Sequence, residues 1–135
     1  MTLSILGMCT VPLVRQAESR RSETPNAVMT TLASPTLGSA RSAVWRTEVK
    51  PGVKGPVHLF DVEQIWTFLE GEAVIELDGE TSTAGPGDTA VLPAHTTRRL
   101  TAGSQGYTAI VTAPADAHAW TPGDTGNKAT PPWIA

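Results

Sequence analysis

The sequence predicts an all-β domain, a barrel or sandwich of short antiparallel strands. Three observations carry this. Short runs rich in Val, Ile, Thr and aromatic residues recur from Ala27 onward, the composition that suits a pleated, half-buried surface. Gly, Pro, Asp and Ser split these runs at the short intervals of an all-β fold. No long segment repeats its apolar residues with the period of a helix.

The elements follow in order. Glu18 to Glu23 is polar and charged, and Thr24-Pro25-Asn26 reads as a turn. Ala43 to Val49, with Val44, Trp45, Thr47 and Val49, is a strand that ends at Pro51-Gly52. Val57 to Phe60 and Gln64 to Leu69 are the next two strands, and Glu70-Gly71-Glu72 is read as a turn. Ala73 to Leu77 alternates, with Ala73, Ile75 and Leu77 on one face, and runs into the hairpin signal Asp78-Gly79. Gly85-Pro86-Gly87-Asp88 is a further turn, and Thr89 to Leu92 is a strand stopped by Pro93. Arg98 to Ala102 and Tyr107 to Ala113 complete the set, read as separated by a loop over Gly103-Ser104-Gln105-Gly106. From Pro114 the chain is irregular, and Trp120, Trp133 and Ile134 are expected to pin it against the barrel wall. The predicted division is an N-terminal extension or edge strand over residues 1–26, a barrel over 27–113 and a packed tail over 114–135.

A chain of 135 residues suits one domain and buries a core without disulfides or a structural metal. With 10 Lys+Arg against 13 Asp+Glu there is no basic surface for nucleic acid. The single cysteine, Cys9, has no partner for a disulfide and no second ligand at zinc-finger spacing, which points to a reducing compartment. The apolar run from Met1 to Val14 is interrupted by Pro12, and its first positive residue, Arg15, follows it rather than precedes it. That order is unlike a signal peptide, and the run is too short to cross a membrane. A cytoplasmic protein without membrane or nucleic-acid partners is expected.

Pro51 to Gly71 reads PGVKGPVHLFDVEQIWTFLEG. It resembles the first motif of the cupins, which has a Pro-Gly opening, a His-x-His pair, a following Glu and a later Gly. Gly52, His58 and Gly71 fall in register. Gly87 to Arg98 reads GDTAVLPAHTTR and resembles the second cupin motif, with Gly87, Asp88 and Pro93 in place. The two motifs come in the family's order with a hairpin between them. The resemblance covers Trp45 to Ala113 and implies a single antiparallel, jelly-roll-like cupin barrel. It also implies a metal held by three His and a Glu, and here this chain departs. Phe60 stands at the second His position, Gln64 at the Glu, Arg98 at the third His, and His95 at the Gly of the second motif.

The chemistry is read from these departures. His58, Phe60, Gln64, Trp66 and Phe68 share one parity, and side chains on a strand alternate with period two. The resemblance turns that face into the barrel. Trp45 and Arg98 join from neighbouring strands. The expected site is a pocket with Trp45, Phe60, Trp66 and Phe68 on the substrate and His58, Gln64 and Arg98 in catalysis. His58 and a neutral Gln64 amide fall short of a divalent-metal donor set, and Arg98 adds a repelling charge. No metal and no cofactor is expected. His58 is read as a proton shuttle, Arg98 as a carboxylate binder or enolate stabiliser, and Gln64 as an orienting amide. The alternatives are a hydrogen-bonded His58 that only lines the barrel, a solvated Arg98, and aromatics that simply fill the core. His95, in a turn after Pro93, is expected at the surface; His118 lies in the tail beside Trp120, where a role in closing the barrel mouth is the open alternative.

The functional expectation is a metal-independent cupin enzyme for isomerisation, cyclisation or dehydration of polyketide-like natural products. The tailoring role comes from the resemblance. A non-catalytic binding protein or sensor for a small acidic aromatic ligand is the alternative, and a residual metal-dependent cupin is third. A homodimer is expected by the same analogy, with Leu3 to Val14 supplying a strand.

Overall fold

The computed structural model describes residues 11–39 and 41–135, so Cys9 and most of the apolar N-terminal run lie outside the described residues. Among the described residues nine strands follow in chain order: β1 Arg20–Glu23, β2 Val28–Ala33, β3 Ser42–Val49, β4 Leu59–Phe60, β5 Gln64–Leu77, β6 Glu80–Ala84, β7 Thr89–Leu92, β8 Arg98–Pro114 and β9 Ala119–Trp120. The helical content among the described residues is two single turns, Gln16–Glu18 and Thr125–Asn127. The main sheet has the order β1-β2-β3-β8-β5-β6, with β7 also paired to β5, and each strand pair in it is antiparallel. This is the all-β barrel that the turn spacing and the motif resemblance predict.

Two long strands carry the architecture. β5 pairs with β8 along nearly its whole length, with β7 beside its first half and β6 beside its second. β8 pairs with β3 along its second half. Its first half is flanked by the irregular stretch Lys54 to His58, through bridges Lys54–Thr101 and His58–Arg98. The chain therefore closes on β8 from both sides.

The expected turn at Glu70-Gly71-Glu72 and the expected loop at Gly103–Gly106 do not exist as breaks. They are the bulged midpoints of β5 and β8. The physical cause is visible in the burial. On β5 the inward residues are Gln64, Trp66 and Phe68 before the bulge, but Ala73 and Ile75 after it. On β8 they are Arg98, Leu100 and Ala102 before, and Tyr107, Ala109, Val111 and Ala113 after. The residues left unpaired at two register shifts, Leu69 and Glu72 on β5 and Gly103 to Gly106 on β8, switch parity and bend the sheet, so both halves keep one face in the core. Gly71 (φ 74°) and Gly106 (φ 70°) sit where the strands cross. A Cβ on Gly71 would collide with the Gly106 carbonyl oxygen, and a Cβ on Gly106 with that of Val49. Turn-like composition here marks a close backbone approach, not a reversal.

The core follows from the alternation. Trp45, Phe68, Ala109, Val111 and Leu92 are almost completely buried. Beyond β8, the chain returns over one end of the barrel. β9 pairs with β4, Ala119 and Ala129 exchange backbone hydrogen bonds, and Thr31 Oγ1 donates to the Trp133 carbonyl at 2.7 Å. Ile134 is fully buried and anchors the tail's end.

Gly71→Ala is expected to cost more than about 2 kcal/mol, from left-handed strain plus the backbone clash. Gly79→Ala, whose φ is 85° but whose Cβ meets nothing, should cost only about 1 kcal/mol. Chemical denaturation of both variants measures the difference; equal losses would show that the strand crossing is not tight.

Candidate functional site

A cavity of about 380 Å³ opens between the sheet, the Val53–Phe60 stretch and the returning tail. β2 and β3 contribute Met29, Trp45, Thr47 and Val49; β5 contributes Gln64 and Trp66; β8 contributes Leu100 and Tyr107. His58 and Phe60 face it from the opposite side. Trp120, Pro131 and Trp133 of the tail roof it, with Asn26, Thr121, Asp124 and Asn127 near them. The lining is mostly apolar with a few polar groups, the composition of a small-molecule site.

Of the residues singled out in the sequence, His58, Gln64, Trp45, Phe60 and Trp66 share this cavity. Arg98 and Phe68 are not on its surface. Phe68 lies behind the wall, stacked on Trp66 at 6.2 Å and edge-on to Tyr107 at 5.5 Å between ring centroids. Arg98 lies behind Phe60 and Gln64. Alternation points both inward, but a long or deep side chain can be inside without meeting the cavity.

Arg98 is 1% exposed, and four hydrogen bonds hold its guanidinium. Nε donates to the Thr96 carbonyl (3.2 Å), Nη1 to Gln64 Oε1 (3.3 Å), and Nη2 to the Pro93 carbonyl (2.8 Å) and Thr96 Oγ1 (3.3 Å). The Phe60 ring covers it at 5.6 Å. No carboxylate forms an ion pair with it among the described residues. Burial lowers its pKa to about 10, partly opposed by the charge of Asp78, so it remains a cation at neutral pH.

Gln64, also 1% exposed, receives a second donor: Trp66 Nε1 reaches its Oε1 at 3.1 Å. His58 pairs with Arg98 through the backbone, His58 N to Arg98 O at 3.0 Å and Arg98 N to His58 O at 2.9 Å. Its Nδ1 lies 3.0 Å from the Pro56 carbonyl. A carbonyl only accepts, so Nδ1 carries the proton and Nε2 keeps its lone pair. Burial pushes the imidazole below its ordinary 6.5; the Pro56 hydrogen bond opposes this, and the Arg98 charge adds to it. His58 is thus a neutral ring on the wall at physiological pH.

His95 is exposed, as expected, and His118 is exposed too. His95 has φ 60°, the left-handed conformation that explains why the family motif carries a Gly at this position. His118 grips Asp61: Nδ1 to Oδ2 at 2.8 Å and backbone N to Oδ1 at 2.7 Å, while Asp61 N donates to the His118 carbonyl. The pair ties the tail to the bend before β5. Tyr107, the only Tyr in the chain, was not singled out from the sequence, though its parity on β8 points it inward. Burial holds its hydroxyl pKa well above the ordinary value, so it stays protonated. Trp120 and Trp133, read as pins for the tail, also line the cavity. Nothing in their local sequence places them beside Trp45; only the return of the tail does.

The residues do not suit the family's metal. No group of three or more His, Cys, Asp or Glu side chains converges among the described residues. Gln64 Oε1 already accepts two N–H groups, and Phe60 offers no donor. A guanidinium stands at the third His position, and it would repel a divalent ion.

Burial raises the Asp61 carboxyl, but its hydrogen bonds to His118 outweigh this and hold it below its ordinary 3.8. Its folded value lies under its unfolded one, so it stabilises the fold above roughly pH 4 and loses that contribution as pH falls through the folded value. Asp61→Asn is expected to lower the melting temperature at pH 7, with the gap to wild type closing as pH falls below the ordinary carboxylate value of 3.8. A gap independent of pH would deny the carboxylate its role. In NMR titration the His58 ring should change charge below pH 6.5, with a higher midpoint in Arg98→Met; a midpoint at or above 6.5 in wild type would contradict the burial argument.

Comparison with known proteins gives the same architecture. The chain resembles an RmlC-like cupin from Shewanella frigidimarina (17% identity, TM-score 0.65, covering 76% of this chain and 88% of that one). It resembles the polyketide cyclase RemF from Streptomyces resistomycificus (23%, 0.66, 77% and 79%) and KdgF from a Halomonas species (21%, 0.66, 78% and 94%). At such identities the likeness is one of fold. No curated protein matches in sequence. The family model for the cupin domain matches residues 45–113, which span both motifs, the long bent β5 and most of β8. With half the chain matched and the barrel in place, this protein belongs to the cupin family.

Proposed function

We propose that the cavity binds a planar, largely apolar small molecule and that His58 acts on it as a general base without a metal. The observation that carries this is a neutral imidazole, its Nε2 unpartnered among the described residues, on an aromatic-walled cavity of about 380 Å³. A base with a lowered pKa is ready to accept a proton at neutral pH. The reaction that suits it begins at a carbon beside a carbonyl. The C–H bond breaks, the proton moves to Nε2, and the electron pair shifts toward the carbonyl oxygen. Return of the proton to another carbon gives isomerisation; attack by the carbanion on a second carbonyl gives cyclisation. Loss of a β-hydroxyl, which takes the proton back from Nε2 and leaves as water, gives dehydration. The ligand class to screen first is polyketide-like, a choice suggested by the fold likeness to a polyketide cyclase.

A binding protein without turnover is the second reading. It is favoured by Arg98 being held away from the ligand space.

The test is exchange of carbon-bound protons in D₂O, followed by proton NMR, across a panel of aromatic and polyketide-like ketones and acids. Wild type should wash out the α-proton of at least one bound compound. His58→Ala should slow this by at least about 100-fold with an unchanged melting temperature. Exchange that survives the substitution sinks the base; binding with no exchange or product makes the protein a sensor or carrier. Elemental mass spectrometry on untagged protein, dialysed against zinc, iron, manganese and nickel, should find no stoichiometric metal; a full equivalent would overturn the metal-free reading.

A further inference from the structure

Two obligate donors converge on one oxygen. Arg98 Nη1 and Trp66 Nε1 both reach Gln64 Oε1. Neither can accept, so the atom between them is the carboxamide oxygen, and turning the amide over would set its NH₂ against two N–H groups. Nε2 is thereby fixed on the other side of the amide carbon. Among the described residues no acceptor takes its protons. Gln64 is 1% exposed and lines the cavity. Nε2 is not one of the fully buried unpartnered side-chain atoms, so its protons are open to whatever occupies the cavity, water or ligand. Behind it stands a cation whose four bonds go to neutral oxygens only.

Building on the small-molecule reading above, we propose that Gln64 Nε2 is a donor site for one oxygen of the ligand, a ketone, quinone or enolate oxygen, and that Arg98 is the positioning residue that aims and strengthens it. Arg98 does not touch the ligand. It locks the amide's orientation together with Trp66, and its bond to Oε1 draws electron density through the amide, which makes the Nε2 protons better donors. The positive charge behind the amide, in ion-pair contact with no carboxylate among the described residues, favours an acceptor that gathers negative charge, the electrostatics of an oxyanion hole, without presenting a cation for a carboxylate to grip. The ligand is therefore an aromatic carbonyl compound. Its rings lie among Trp45, Phe60 and Trp66, and its oxygen takes the Gln64 amide.

A matched pair tests this: 2-acetylnaphthalene and 2-isopropenylnaphthalene, alike in shape, with a C=O in one where the other has C=CH₂. Calorimetry gives their affinities, and infrared spectroscopy gives the bound ketone's carbonyl stretch. Wild type should bind the ketone about tenfold more tightly, with the stretch at lower frequency than in an apolar solvent. Gln64→Leu should abolish both the preference and the shift. Arg98→Met, of similar length and without charge, should shrink both while leaving the hydrocarbon's affinity unchanged. If that variant does not fold, Trp66→Phe, which removes the other donor, should shrink the shift in the same direction. Equal affinities for the pair or an unshifted stretch in wild type overturns the donor site. A preference and shift untouched by Arg98→Met, or by Trp66→Phe where the former is unfolded, overturns the positioning role. Failure of both compounds to bind overturns the small-molecule reading itself.

Discussion

A guanidinium removed from water costs several kcal/mol unless its hydrogen bonds are met, and here they are met by neutral oxygens alone. Much of the inner structure answers to that demand. The Pro93 and Thr96 carbonyls turn toward Arg98, which shapes the connection between β7 and β8. Gln64 gives up its oxygen, and Phe60 lays its ring over the charge. The backbone of Arg98 pairs with His58 and sets that ring on the cavity wall. One residue thus fixes the orientation of an amide, the placement of an aromatic ring and the position of the only wall imidazole. Replacing a His by an Arg at this point does more than delete a metal ligand. It installs a fixed positive charge inside the barrel, near where the family carries a mobile one.

The fold was legible because two independent signals agree: turn residues at close intervals and apolar alternation between them. What misled was the middle of β5 and β8. Gly71 and Gly103–Gly106 look like turns, because the residues that permit a reversal also permit two backbones to cross in contact. Only the parity switch distinguishes the cases: a strand that resumes with its inward set moved from even to odd numbers has absorbed unpaired residues without reversing. Read that way, Phe68 against Ala73 and Ala102 against Tyr107 carry the signal.

The site was partly legible for a similar reason. Parity separates inside from outside, so His58, Phe60, Gln64 and Trp66 come together. Parity says nothing of depth. Arg98 and Phe68 are inside but behind the wall, since one extends along the barrel interior and the other is screened by Trp66 and Tyr107. The roof was illegible as part of the site. Trp120 and Trp133 reach the cavity through a return path fixed by the Asp61–His118 pair, the Ala119–Ala129 bridge and the Thr31 hydroxyl, none of which has a local sequence signature.

All four tryptophans of the chain, Trp45, Trp66, Trp120 and Trp133, border the same cavity. Indole emission is governed by the polarity and quenchers within a few ångströms of the ring. The intrinsic fluorescence of this protein therefore carries no background from remote sites. Two of its emitters sit on the sheet and two on the tail that covers it, so one optical signal senses both the cavity's contents and the seating of its roof.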